Sequence, residues 1–168
     1  IQFLDSDDEI YFDKIEKQVE FLEKNKEYFM VYCGVEYIDK NGKCISTLEK
    51  GYKDIILTQL LKGNFIAIHA PLTKKNNIRF SVNLNRLEDW EYWILNIKTK
   101  KVGYIDKILC VVIVDVQIKK GYILNMIKNE IKIYDKLLLD KSLQINIFFL
   151  LIFKYKRYIS LILKKIFL

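Results

Sequence analysis

Ile108-Leu109-Cys110-Val111-Val112-Ile113-Val114 is an unbroken apolar run dominated by β-branched residues, set inside a longer segment of the same character, Lys101 to Val116. It has no helical period and predicts one or two strands buried on both faces. Working backwards, Glu88-Asp89 opens a segment in which Trp90, Trp93, Ile94 and Ile97 share one helical face. Asn64 to Thr73 is apolar, holds the only Pro and the only His, and reads as a strand or loop near the core. Asp54 to Lys62 predicts a short amphipathic helix, with Gly63 as a left-handed stop. Tyr28-Phe29-Met30-Val31-Tyr32-Cys33 is rich in strand formers, and Asn41-Gly42 predicts a turn into a return strand, Lys43 to Thr47. Ile15, Val19 and Leu22 mark the core face of an earlier helix ending near Asn25. Ile1 to Leu4 reads as the end of a buried strand. Strands alternating with helices predict an α/β fold.

Composition narrows the class. The chain has 168 residues, 51% of them hydrophobic, enough for one well-buried domain and too apolar for long-range disorder. Its 28 basic and 21 acidic residues give +7, but Lys141, Lys154, Lys156, Arg157, Lys164 and Lys165 all follow Asp140, beyond which no acidic residue occurs. The rest is nearly neutral, so a basic nucleic-acid-binding body is excluded. Three widely spaced cysteines encode neither a disulfide framework nor a thiolate zinc site and suit a reducing compartment. No apolar run approaches the roughly 20 residues of a membrane span.

From about Ile147 to Leu168, Leu151, Ile152, Tyr155, Ile159, Ile162, Leu163 and Ile166 fall on one side of a helical wheel, while Lys154, Arg157, Lys164 and Lys165 fall on the other. This predicts an amphipathic helix on the inner face of the cytoplasmic membrane, its apolar arc entering the headgroup boundary and its basic side meeting anionic lipid. The alternative is a helix packed on the domain or a partner.

Two acidic clusters carry the chemistry. Asp5 and Asp7 lie two apart after an apolar segment, so on an extended backbone both carboxylates point to one side and offer hard oxygen ligands to Mg²⁺ or Mn²⁺. Capping of the next helix by Asp7 or Asp8 explains the same residues without a metal. Glu88-Asp89 suits a general base at a helix start, or simply the positive end of the helix dipole. His69 could line an acceptor pocket or be structural; Trp90 and Trp93 could stack on a sugar or pack in a core.

The blocks Phe3-Leu4-Asp5-Ser6-Asp7-Asp8-Glu9, Lys14-Ile15-Glu16-Lys17-Gln18-Val19, Val31-Tyr32-Cys33, Gly63-Asn64-Phe65-Ile66 and Leu87-Glu88-Asp89-Trp90-Glu91-Tyr92-Trp93 occur in the order found in family 2 glycosyltransferases of the GT-A fold. The resemblance runs from Ile1 to about Asp115. It implies that residues 1–116 are the C-terminal half of a GT-A catalytic domain, a fragment beginning at the Asp-x-Asp strand, and that 117–168 form a helical, basic amphipathic tail. It implies a metal held by Asp5 and Asp7 with help from Asp8, a nucleoside diphosphate sugar as donor, and Asp89 as the base of an inverting transfer, oriented by Glu88. A glycan or lipid-linked acceptor would follow. The sequence departs from the family pattern at Phe12, where a Pro often stands, at Leu95, where an Arg is common, and at Val112-Ile113, in place of a Tyr-Arg pair. A non-catalytic remnant serving as a membrane-surface or partner-binding module is the competing expectation.

Overall fold

The structure is a computed structural model that describes residues 1–49, 51–52, 57–98, 100–114, 120–141 and 146–167. The described elements, in chain order, are β1 (Glu9–Ile10), α1 (Lys14–Lys24), β2 (Tyr28–Ile38), β3 (Cys44–Leu48), α2 (Leu57–Leu60), β4 (Leu72–Thr73), α3 (Glu88–Ile97), β5 (Lys101–Ile113), α4 (Lys120–Leu139) and α5 (Ile147–Phe167). They form a mixed α/β protein. The chain divides into two compact units, one comprising Ile1–Ile56, Phe65–Asn77 and Thr99–Val116, the other Leu57–Asn64, Ile78–Lys98 and Gln117–Leu168.

The first unit is a five-stranded mixed sheet. Its centre is the parallel pairing of β2 with β5; β1 lies antiparallel on the far side of β5, and β3 and β4 pair antiparallel with opposite halves of β2. The β-branched run is thus one strand. Met30, Val31, Cys33 and Val35 of β2 and Val102 and Cys110 of β5 are fully buried, as expected of paired central strands. The hairpin between β2 and β3 turns at Gly42, whose φ of 80° only glycine adopts freely. Asp39 Oδ1 holds the turn by accepting from the amides of Asn41 and Lys43.

Gly34 answers a defect in the ladder. Opposite it the register slips so that Cys33 pairs with Ile105 and Gly34 with Ile108, leaving Asp106 and Lys107 of β5 bulged. A Cβ on Gly34 would lie 3.0 Å from both the Lys107 and Leu48 carbonyl oxygens. Neither backbone can yield without opening a strand pair.

Several expectations are corrected here. Ile1 to Leu4 is not a strand end: apart from one isolated bridge between Gln2 and Leu72 the segment is irregular, and Ile1 and Leu4 are exposed. The core face of α1 is turned by one residue. Lys14, Gln18 and Leu22 are buried, whereas Val19 is exposed, because the helix turns inward the polar pair whose hydrogen bonds reach Gln2, Val31 and Ala70. Gly63 does not take a left-handed conformation; its N–H meets the Leu60 carbonyl in a turn instead. The first residues of the helix expected over 54–62 lie partly outside the described residues, and its described part is α2.

The second unit is helical. Trp90 and Trp93 of α3 are fully buried, which excludes sugar stacking and makes them core residues. The Trp90 indole N–H donates to the Leu60 carbonyl at 2.8 Å and the Tyr134 hydroxyl to the Leu61 carbonyl at 2.7 Å, tying α2 to α3 and α4. The two rings meet edge-on at 5.7 Å. Helices α4 and α5 run antiparallel, since Lys154 pairs with Asp135 and Arg157 with Glu130. The basic side of α5 therefore faces α4, and the expectation that Lys154 and Arg157 meet lipid is overturned by these acidic partners.

Gly34→Ala should cost about 1–3 kcal/mol, the usual range for forcing a methyl into a packed interior. A urea unfolding midpoint unchanged from wild type would show that the bulge can relax.

Candidate functional site

The acidic segment after Leu4 owes its geometry to a turn. The Asp8 amide donates to the Asp5 carbonyl at 3.3 Å, closing a four-residue turn with Ser6 and Asp7 at its corners. An extended backbone would align residues two apart, but this turn brings together residues three apart. Asp7 is exposed at the corner, and Asp8 immediately precedes β1. Neither Asp7 nor Asp8 caps α1, because β1 intervenes.

His69 completes the cluster. Its Nε2 lies 2.7 Å from Asp8 Oδ2 and 3.4 Å from Asp5 Oδ2. The Asp8 and His69 side chains are almost entirely buried, and that of Asp5 is 66% exposed. Although the Asp8 contact is short, neither ring nitrogen of His69 makes a hydrogen bond of good direction. A buried imidazole with unsatisfied nitrogens beside two carboxylates has the character of a ligand set, and one donor atom from each of Asp5, Asp8 and His69 falls within 4.8 Å of the others. Burial pushes the Asp8 carboxyl above its ordinary value, opposed by the Ile113 amide, which donates to Asp8 Oδ1 at 2.7 Å, and by His69.

The loop carrying His69 is anchored by buried polar groups. Gln2 Nε2 donates to the His69 carbonyl at 2.9 Å, and Gln18 Nε2 to the Ala70 carbonyl at 2.8 Å and the Val31 carbonyl at 3.1 Å. The Lys14 ammonium sits beneath them, donating to Gln2 Oε1 at 2.5 Å and Gln18 Oε1 at 2.7 Å. Sequence reasoning set His69 apart but did not join it to Asp5 and Asp8. No local spacing links residues more than 60 positions apart, and the only signal was that a lone His lay in an apolar stretch.

Glu88 and Asp89 belong to the helical unit, where they open α3. The residue before them, Leu87, is left-handed, with φ 63° and ψ 18°, a conformation that costs a non-glycine residue about 1–2 kcal/mol. Such strain concentrates at sites that need a fixed backbone direction. Asp89 Oδ2 accepts from Asn64 Nδ2 at 2.8 Å, and Oδ1 accepts from the Trp90 amide at 2.8 Å. Desolvation raises the Asp89 carboxyl above its ordinary 3.8, partly offset by these two hydrogen bonds and reinforced by the charge of Glu88. Glu88 acts on Asp89 through charge, while Asn64 and the helix start hold it in place. Glu88 Oε2 is buried without a hydrogen-bond partner among the described residues.

No protein-family model matches the chain. Three curated proteins resemble it. The chain is 34% identical over 111 residues to an uncharacterized glycosyltransferase of Rickettsia felis, covering 64% of this chain and 18% of that protein. The same figures hold for an uncharacterized glycosyltransferase of Rickettsia conorii. An uncharacterized glycosyltransferase of Methanocaldococcus jannaschii is 25% identical over 99 residues, 56% of this chain and 34% of its own. Over these stretches the chain is distantly similar to proteins named as glycosyltransferases. It spans between 18% and 34% of the length of these relatives.

A carboxyl that binds its proton more tightly folded than unfolded destabilises the native state once ionised. With a folded pKa above the unfolded one, its contribution falls as pH rises from about 4 through the folded value, then levels off. Asp89→Asn should therefore gain stability over wild type across that interval, with the difference constant below and above it. Urea melts between pH 3.5 and 8 check this, and a pH-independent difference would refute the burial argument.

Proposed function

We propose that these residues are the metal-holding and acceptor-activating parts of an inverting family 2 glycosyltransferase of the GT-A fold. It would transfer a sugar from a nucleoside diphosphate donor to an acceptor hydroxyl, in the synthesis of a surface polysaccharide or glycoconjugate. The observation that carries this reading is the Asp5–Asp8–His69 cluster, in a chain related to glycosyltransferases.

The donor set fits a divalent cation. Two carboxylates with one imidazole suit Mn²⁺ better than Mg²⁺, which prefers oxygen ligands throughout. Asp8 and His69, buried and anchored, would fix the site, and the exposed Asp5 would close it; Asp7, on the turn corner, is free to reach the same ligand from the solvent side. When bound, the ion supplies a Lewis acid that stabilises negative charge on a leaving diphosphate. Asp89 takes the proton of the acceptor hydroxyl. Its raised pKa makes it a stronger base than an ordinary carboxylate, and its contacts with Asn64 and the Trp90 amide hold the accepting oxygens in fixed directions.

Mn²⁺ titration followed by electron paramagnetic resonance tests the metal. The chain should bind the ion, and Asp8→Asn, which keeps an acceptor for the Ile113 amide, and His69→Ala should each weaken binding about tenfold or more, in line with loss of a ligand or its close support. Unchanged binding in both variants would remove the cluster from the reading. In a transfer assay that follows nucleoside diphosphate release, Asp89→Asn should lower turnover by about 10²–10⁴-fold, the usual share of a general base, with donor affinity retained. Turnover within a few-fold of wild type would reject Asp89 as the base.

A further inference from the structure

With Lys154 and Arg157 turned towards α4, the opposite side of α5 is bare. Phe148, Leu151, Tyr155, Tyr158, Ile159, Ile162 and Leu163 all lie exposed along it, Phe148 and Tyr155 by about two thirds (67% and 68%) and Ile162 by 56%. Their spacing of three and four residues makes a continuous stripe over about four turns of helix. Leu150, on the other side, is 2% exposed and packs inward. A soluble monomer has no use for an apolar stripe of this length.

The charges around the stripe select what covers it. On a helical wheel Lys156 borders the stripe on one side and Lys165 on the other, both exposed and with no acidic partner among the described residues. Lys141 is exposed before the N-terminus of α5, and Lys128 and Lys132 are exposed on α4. The acidic groups of the helix pair are withdrawn. Glu130 is held by Arg157, Asp135 by Lys154 and Asp140 by Lys98. Burial raises the Glu130 carboxyl, and Arg157 and Lys164 pull it back down. The surface is therefore an apolar strip edged on both sides by unneutralised cations and cleared of anions. A groove on a protein partner does not require lysines on both edges, whereas an acyl layer beneath anionic headgroups does, with each lysine stem lying along the apolar zone and its ammonium at the phosphates. No described helix is long and apolar enough to cross a membrane, so the helix lies on the surface.

We propose that the outward face of α5 seats on an anionic lipid bilayer, the helix lying in the membrane plane with Phe148, Leu151, Tyr155, Ile159 and Ile162 in the acyl boundary and Lys156 and Lys165 at the headgroups. The inference is independent of sugar transfer. It keeps the apolar arc that the sequence assigns to the lipid and corrects the cations: Lys154 and Arg157 hold the helix to α4, and Lys156 and Lys165 take the headgroups.

Co-sedimentation with vesicles of phosphatidylglycerol and phosphatidylcholine, against phosphatidylcholine alone, tests this on the whole chain. Binding should require the anionic lipid and weaken as salt is raised. The double variant Ile159→Asp/Ile162→Asp should lose about tenfold or more in partitioning, as removal of buried aliphatic side chains implies. Lys156→Glu/Lys165→Glu should lose binding to anionic vesicles. All four substitutions are at solvent-facing positions, and circular dichroism confirms that each variant is folded. Wild type remaining in the supernatant at low salt would overturn the proposal, as would folded variants that sediment like wild type. If sedimentation velocity shows a dimer that Ile159→Asp/Ile162→Asp dissociates, with no vesicle binding by wild type, a second copy occupies the face and the lipid assignment fails.

Discussion

A single ammonium group organises the sheet unit. Lys14 is fully buried on the inner face of α1, and burial drives its pKa down, so an unpartnered charge there would oppose folding. Its hydrogen bonds to Gln2 and Gln18 answer that cost, and each glutamine then spends its own amide on backbone carbonyls: Gln18 on Val31 and Ala70, Gln2 on His69. Helix, central strand and the His69 loop are thereby registered by one polar core. An aliphatic side chain at position 14 would fill the space but take the Lys14 donor from the buried Gln18 amide oxygen and the part-buried one of Gln2.

What was legible in the sequence follows from what is local. The long apolar run of β5, the strand formers of β2, the Asn41-Gly42 turn and the tryptophan face of α3 each announce themselves within a dozen residues, and each is found in place. Periodicity failed on α1 because its buried face is polar: Lys14 and Gln18 read as solvent-facing until their partners are known. The turn at Ser6 and Asp7 was hidden by the apolar residues before it, which suggested an extended backbone continuing through Asp7. His69 and Asp8 meet only through the sheet. For α5 the wheel was correct, but which side faced the protein depended on the acids of α4, information that no reading of α5 alone contains.

The two acidic clusters solve opposite electrostatic problems. Around Asp8, carboxylates gather beside an imidazole and a backbone amide, an arrangement that invites a cation. Around Asp89, a carboxylate is kept from water at a helix start already crowded with negative charge, with Glu88 next to it and Glu91 one turn on, and Lys136 neutralises only Glu91. That surplus favours proton uptake. A helix dipole satisfied by three acids needs none of them to be so poorly solvated, and the left-handed Leu87 that sets their direction adds a further cost.

The hydrogen bond from the Ile113 amide to Asp8 gives the cluster a spectroscopic voice. An amide proton shared with a carboxylate shifts its resonance when that carboxylate gains a proton or a cation, because the acceptor's charge density changes. Ile113 ends the longest strand of the sheet and belongs to the apolar run that defines it, so its amide is held in a rigid frame and its signal should be sharp. The nitrogen and proton shifts of this one residue would read out the charge state at Asp8 in solution, and with it occupancy of the Asp5–Asp8–His69 cluster, without an activity assay.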